Sequence, residues 1–140
     1  MCVCVCVCVY GRRNLEEYIA GQPMASGSSC TIPMVCLVIE GGMHTIRKVR
    51  DCVERRPPVP VVVCAGSGRA ADLIADAVGR PPDDCGDAEW RRRLGPRVVD
   101  AFGADAAATL LGDLRRCAAR RVRPHVHVFQ CSSSDGGYGA

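Results

Sequence analysis

The amino-acid sequence predicts an α/β fold, a doubly wound and mostly parallel sheet, and three observations point to it. Two short apolar runs, IPMVCLVI at 32–39 and VPVVVC at 59–64, have the pattern of strands covered on both faces. Each run ends at a glycine turn, Gly41-Gly42 and Gly66-Ser67-Gly68, and each turn opens a segment of helical period. One strand–turn–helix unit following another gives a right-handed crossover, which makes the two strands parallel neighbours.

Composition narrows the function classes. The chain has 140 residues, a formal net charge of +3 and 48% hydrophobic residues, which fits one domain or a piece of one. No apolar stretch approaches the roughly 18 residues needed to span a bilayer, so this chain cannot itself form a channel. All basic residues but Lys48 are arginine, a skew read as coding bias. The two Phe, three Tyr and one Trp are scattered and offer no stacking platform for nucleic acid. Eleven cysteines suggest a disulfide framework, but their number is odd, no secretory h-region is read in the sequence and no pair has metal-finger spacing. A reducing cytosol is the expected compartment.

Taken in order, residues 1–11 are set aside as a low-complexity or artefactual tail, because MCVCVCVCV alternates as a dinucleotide repeat read in frame would. A domain is expected over 12–131. It starts with a short helix at 12–19, with Leu15, Tyr18 and Ile19 on one face, followed by a Ser/Gly loop at 25–29. After the first apolar run, Thr45 is expected to cap a helix in which Ile46, Val49 and Val53 recur, ended by Pro57 and Pro58. The second run leads into a helix through Ala71, Ile74, Ala75 and Val78. Residues 81–86 read as a surface loop and 90–95, with three arginines, as solvated. A longer helix over 105–121 places Ala107, Leu110, Leu111, Leu114, Cys117 and Ala118 inward, with Arg115, Arg116, Arg120 and Arg121 at its C-terminal end, where they suit the dipole. HVHVF at 125–129 alternates as a third strand, and 132–140 is a polar, Gly-rich end expected to be disordered.

The chemistry is expected at the glycine turns, where unpaired amides and the helix dipole attract an anion. Gly41 and Gly42 permit close approach, and Thr45 offers a hydroxyl. Gly66, Ser67 and Gly68 repeat the arrangement, and Arg69 adds a planar fork suited to phosphate. Parallel neighbouring strands bring both turns to one sheet edge, where a single ligand touches both. The alternative from spacing alone is that the glycines merely allow tight turns, Thr45 is a cap, and Arg69 pairs with Asp72 or solvent. Ser67 has no base identifiable beside it, so no nucleophile is assigned.

Two segments carry a family resemblance. IPMVCLVIEGGMHTIRKV (32–49) and PPVPVVVCAGSGRAADLIADAV (57–78) resemble, in order and spacing, the N-terminal cytosolic region of melastatin-type transient receptor potential (TRPM) cation channels. NLEEYIAGQ (14–22) is similar to the helix preceding them there, and VHVF (126–129) more loosely to the next strand. The resemblance implies a SLOG domain, a Rossmann-like fold that binds ADP-ribose or a related nucleotide in some members and serves assembly and gating in others. It implies a pocket lined by Gly41, Gly42 and Thr45 on one side and by Gly66, Ser67, Gly68 and Arg69 on the other. It further implies a cytoplasmic fragment of a homotetrameric, calcium-permeable plasma-membrane channel, with an incomplete sheet. Its partners would be a nucleotide and other channel domains and subunits. No cofactor is required and no metal is assigned.

Two rival readings use the same residues. The phosphoribohydrolases of the wider SLOG superfamily resemble G-G-x-G-T-x-x-E at the first turn, where this chain has His44 in place of a glycine and Lys48 in place of the acid. N-glycosidic hydrolysis needs a carboxylate against developing positive charge, and a cation opposes it, so no catalytic residue is assigned. The other rival is a purely structural subunit-interaction module of the same fold, acting through its arginine-rich helix. The runs at 91–93 and 115–123 are otherwise read as a solvated face, with acidic lipid as the alternative. His125, His127 and Cys131 are weighed as metal ligands and read instead as a half-exposed strand, and Cys36 and Cys64 as small buried hydrophobes.

Overall fold

The computed structural model describes residues 13–131; the tail at 1–11 and the end at 132–140 lie outside them. The apolar runs become strands β1 (Cys36–Val38) and β2 (Val61–Ala65), and the alternating segment becomes β3 (Val126–Gln130). All three are parallel, in the order β1-β2-β3, with Val38 opposite Val63 and Cys64 opposite Phe129. The first run yields a shorter strand than expected: it starts only at Cys36, after Pro33, which has no N–H to give a ladder, and it ends before Ile39, which is 58% exposed where the chain turns at Glu40.

Helix α1 (Arg13–Ala20) precedes the sheet, α2 (Met43–Glu54) joins β1 to β2, and α3 (Arg69–Gly79) follows β2. Strands added in sequence order, each by a right-handed crossover, put their connections on the same side. Accordingly α2 and α3 both lie against the sheet, while α5 (Asp87–Phe102) and α6 (Ala104–Cys117) pack on them as a second helical layer. The described part is thus one wing of the parallel α/β arrangement. Val61, Val63 and Ala65 face the helices and are buried, whereas on the other face Leu37, Val62 and Cys64 are half-buried and Phe129 is 63% exposed.

The core joins the sheet to both helical layers: Val38, Ile46, Val49, Val61, Val63 and Ile74 meet Trp90, Leu94, Val98, Leu110 and Leu114, all essentially inaccessible. Several expectations are corrected here. Residues 81–86 contain a one-turn helix, α4 (Pro82–Cys85), and 90–95 lie inside α5 rather than in solvent. Trp90, Leu94 and Val98 recur every fourth residue and face inward, while Arg91 and Arg92 remain outside. Pro96 sits within this helix, on its exposed side. The helix expected over 105–121 ends at Cys117, so Arg120 and Arg121 fall in the turn beyond it. His125 belongs to a 3-10 turn, Arg123–His125, and not to the strand. In α1 two residues of the expected apolar face are exposed, Leu15 at 56% and Tyr18 at 66%, Ile19 is half-buried, and among the described side chains of this helix Glu16 is the buried one. Lys48 donates to Glu16 at 2.6 Å and draws it in.

Charge pairs lace the helices together. Arg50 of α2 donates to Asp113 of α6 at 2.6 Å and also to Asp51. Asp51 first, and Asp113 after it, hold the guanidinium charged well above its ordinary value against the cost of burial. Arg93 and Arg97 of α5 meet Asp76 of α3, Arg115 meets Asp87 at 2.9 Å, and Arg116 grips Glu54 with two nitrogens. The arginine runs are therefore largely joined to the chain's own carboxylates.

These packing differences predict a contrast between two leucines. Leu110→Ala should cost about 2 to 5 kcal/mol in chemical denaturation, as deletions in filled cores do. Leu15→Ala should lie within about 0.5 kcal/mol of the parent.

Candidate functional site

Because β1 and β2 are parallel neighbours, the two glycine turns leave the sheet at the same edge, and they touch. The Glu40 amide donates to Ser67 Oγ at 2.8 Å, and Ser67 Oγ in turn donates to the Cys64 carbonyl at 2.7 Å. At the start of α3 the Ala71 amide donates to the Glu40 carbonyl at 2.8 Å and the Ala70 amide to the Gly41 carbonyl at 3.4 Å. The first turn thus supplies acceptors for the helix that opens from the second. All seven candidate residues, Gly41, Gly42, Thr45, Gly66, Ser67, Gly68 and Arg69, lie in or beside this joined rim.

The glycines differ in what they do. Gly41 has φ +85°, and a Cβ there would stand 2.5 Å from Thr45 Oγ1; Gly66 has φ +91°, and its Cβ would stand 2.9 Å from the Cys131 carbonyl oxygen. Both are required by backbone conformation and close approach. At Gly42 a Cβ meets nothing within 4 Å.

Several amides expected to await an anion already have acceptors. Gly42 N–H donates to Thr45 Oγ1 at 3.1 Å while the Thr45 amide donates to the Gly42 carbonyl at 3.0 Å. Gly42 is therefore the N-cap of α2, and Thr45 sits three residues inside the helix rather than at the cap. Gly66 N–H donates to the Asp72 carboxylate at 2.7 Å, so Asp72 serves the turn and not Arg69. The Arg69 guanidinium lies over the Phe102 ring, 5.9 Å from its centroid, in cation–π range.

Strain concentrates at this rim. Among the described residues, the non-glycines with left-handed backbone are Glu40 (φ +52°) and Arg69 (φ +48°), one at each turn. Such conformations cost on the order of 1 to 3 kcal/mol each and persist where the surroundings enforce them. Sequence reading missed Glu40 and Asp72 as rim-builders, since a residue before Gly-Gly and an acid in a first helical turn are common surface features. His127 is exposed, and among the described residues no three His, Cys, Asp or Glu side chains gather as a metal-ligand group.

A family model described as SLOG in TRPM matches residues 8–117. The chain belongs to that family. It is 47% identical over 136 residues to human transient receptor potential cation channel subfamily M member 7, covering 89% of this chain and 7% of that protein. A Caenorhabditis elegans transient receptor potential channel is 44% identical over 118 residues, 79% of this chain and 6% of its own length. The Drosophila melanogaster transient receptor potential cation channel trpm is 56% identical over 64 residues, 46% of this chain and 3% of its own length. The chain thus spans under a tenth of these relatives, and among its described residues no helix is long and apolar enough to cross a membrane.

The two kinds of glycine give different expectations. Gly66→Ala should lower stability by about 1 to 3 kcal/mol in a urea melt, because left-handed backbone and a fixed carbonyl both oppose the methyl. Gly42→Ala, in extended backbone with open space beside it, should cost less, under about 1 kcal/mol, the modest loss of exchanging glycine for alanine at an N-cap.

Proposed function

We propose that the chain is a cytosolic nucleotide-sensing and assembly region of a TRPM-like, calcium-permeable cation channel of the plasma membrane, whose parent is a homotetramer. In this reading the joined rim receives the phosphates of an ADP-ribose-like ligand, and no catalytic step is assigned to it. The observation that carries it is the strain: Glu40 and Arg69 hold left-handed backbone at the two turns where Ser67 ties one loop to the other. At Gly42 and Gly68 a Cβ would meet nothing within 4 Å. Arg69 is exposed, and in this reading its guanidinium leaves the Phe102 ring to meet a phosphate as a charged, two-pronged donor.

A second reading, subunit packing without a nucleotide, is favoured by a different observation. The amides of Gly42, Gly66, Ala70 and Ala71 are engaged by the chain itself. In open α/β sheets the ligand crevice forms where strand order reverses, and β1-β2-β3 contains no reversal. The arginine-rich helix is a poor docking face in this reading, since Arg115 and Arg116 already meet Asp87 and Glu54. The phosphoribohydrolase reading gains nothing from Lys48, whose ammonium is turned to Glu16.

Calorimetric titration of the full chain with ADP-ribose separates the two. The nucleotide reading expects saturable binding that weakens by about 1.5 to 3 kcal/mol in Arg69→Ala. Equal affinities would remove Arg69 from the site, and absence of binding to the parent chain would leave the packing reading.

A further inference from the structure

At the end of the sheet opposite the glycine rim, a small cleft lies between the first residue of β1 and the last turns of α2. Cys36, Cys52, Lys48, Arg55 and Glu16 line it. Cys36 and Cys52 come from different elements, both are buried, neither is in a disulfide, and both line this one cleft. We propose that Cys52 and Cys36 form a peroxide-reactive dithiol, a modification site in which Cys52 is the attacking sulfur and Cys36 the resolving one.

The surroundings distinguish the two roles. The hydrogen bond from Cys36 holds the Cys52 thiol below its ordinary value; burial and the Glu16 carboxylate oppose this, while Lys48 and Arg55 favour the thiolate. Cys117 is the contrasting case: burial first, then the Asp113 and Glu54 carboxylates, push its thiol up to about 12. The cleft is small, with space of about 10 Å³, room for about one water-sized molecule, which suits hydrogen peroxide.

The chemistry balances with peroxide as oxidant. The Cys52 thiolate attacks one peroxide oxygen, the O–O bond breaks, and the departing hydroxide takes up a proton to leave as water, giving a sulfenic acid on Cys52. The Cys36 sulfur then attacks the Cys52 sulfur, the S–O bond breaks, and the hydroxide released takes the Cys36 proton as a second water. Two thiols are oxidised to one disulfide and one peroxide is reduced by two electrons. The ring so closed contains Gly41, Gly42 and Thr45, so oxidation at one end of β1 restrains the turn at the other.

The test treats the full chain with about one equivalent of hydrogen peroxide, blocks remaining thiols and maps disulfides by mass spectrometry of peptides. The expected result is a Cys36–Cys52 linkage forming ahead of any change at Cys117, and, in Cys36→Ser, a sulfenic acid on Cys52 captured by dimedone added with the denaturant that quenches the reaction. Arg55→Gln removes a cation from the cleft without touching either thiol, and should slow formation of the linkage by about threefold or more. The proposal is overturned if Cys36 and Cys52 stay reduced while the exposed Cys30 and Cys131 oxidise, or if Arg55→Gln leaves the rate unchanged.

Discussion

The carboxyl edge of the sheet is held together by a reciprocal exchange: the turn after β1 gives the Glu40 and Gly41 carbonyls to the first amides of α3, and the turn before α3 gives Ser67 Oγ back to the Glu40 amide. A helix start has amides without intrahelical acceptors, and here the neighbouring turn supplies two. The exchange works only because parallel pairing of β1 with β2 sets the turns side by side. Beside it Glu40 and Arg69 hold left-handed backbone, while Thr45 leaves Gly41, and the Cys131 carbonyl leaves Gly66, no room for a side chain. Backbone conformation and the candidate site meet at this hydrogen-bonded edge.

The rest of the architecture follows from winding. Strands laid down in order, each by a right-handed connection, stack their helices on one side of the sheet, so α5 and α6 must pack on helices and not on strands. That makes the middle layer, α2 and α3, buried on both sides, and it explains why ion pairs such as Arg50–Asp113 and Arg93–Asp76 bridge between layers. The uncovered face of the sheet keeps Phe129 in solvent. Its edge strand β3 is buried at Val126 and exposed from His127 onward.

Much of this was legible in the residues. The apolar runs, their glycine turns and the helical stripes that follow give the parallel β-α-β order directly, and the same motifs carry the TRPM resemblance that the family match bears out. What escaped reading has identifiable causes. Gly95, Pro96 and the run of three arginines masked α5, although Trp90, Leu94 and Val98 carry its inward stripe. The apolar face expected of α1 lost to the Lys48–Glu16 pair, a contact between residues far apart in sequence. Thr45 and Asp72 were visible as polar groups near the turns, but only the folded geometry shows that they serve Gly42 and Gly66.

The central claim is that the two turns form one hydrogen-bonded unit, and amide hydrogen exchange measures it residue by residue. In the full chain the Glu40 and Ala71 amides should be protected, and in Ser67→Ala protection should fall at both together, since one exchange of bonds holds them. Glu40 exchanging in the parent chain as fast as an unstructured residue, or keeping its protection without the serine hydroxyl, would contradict the account.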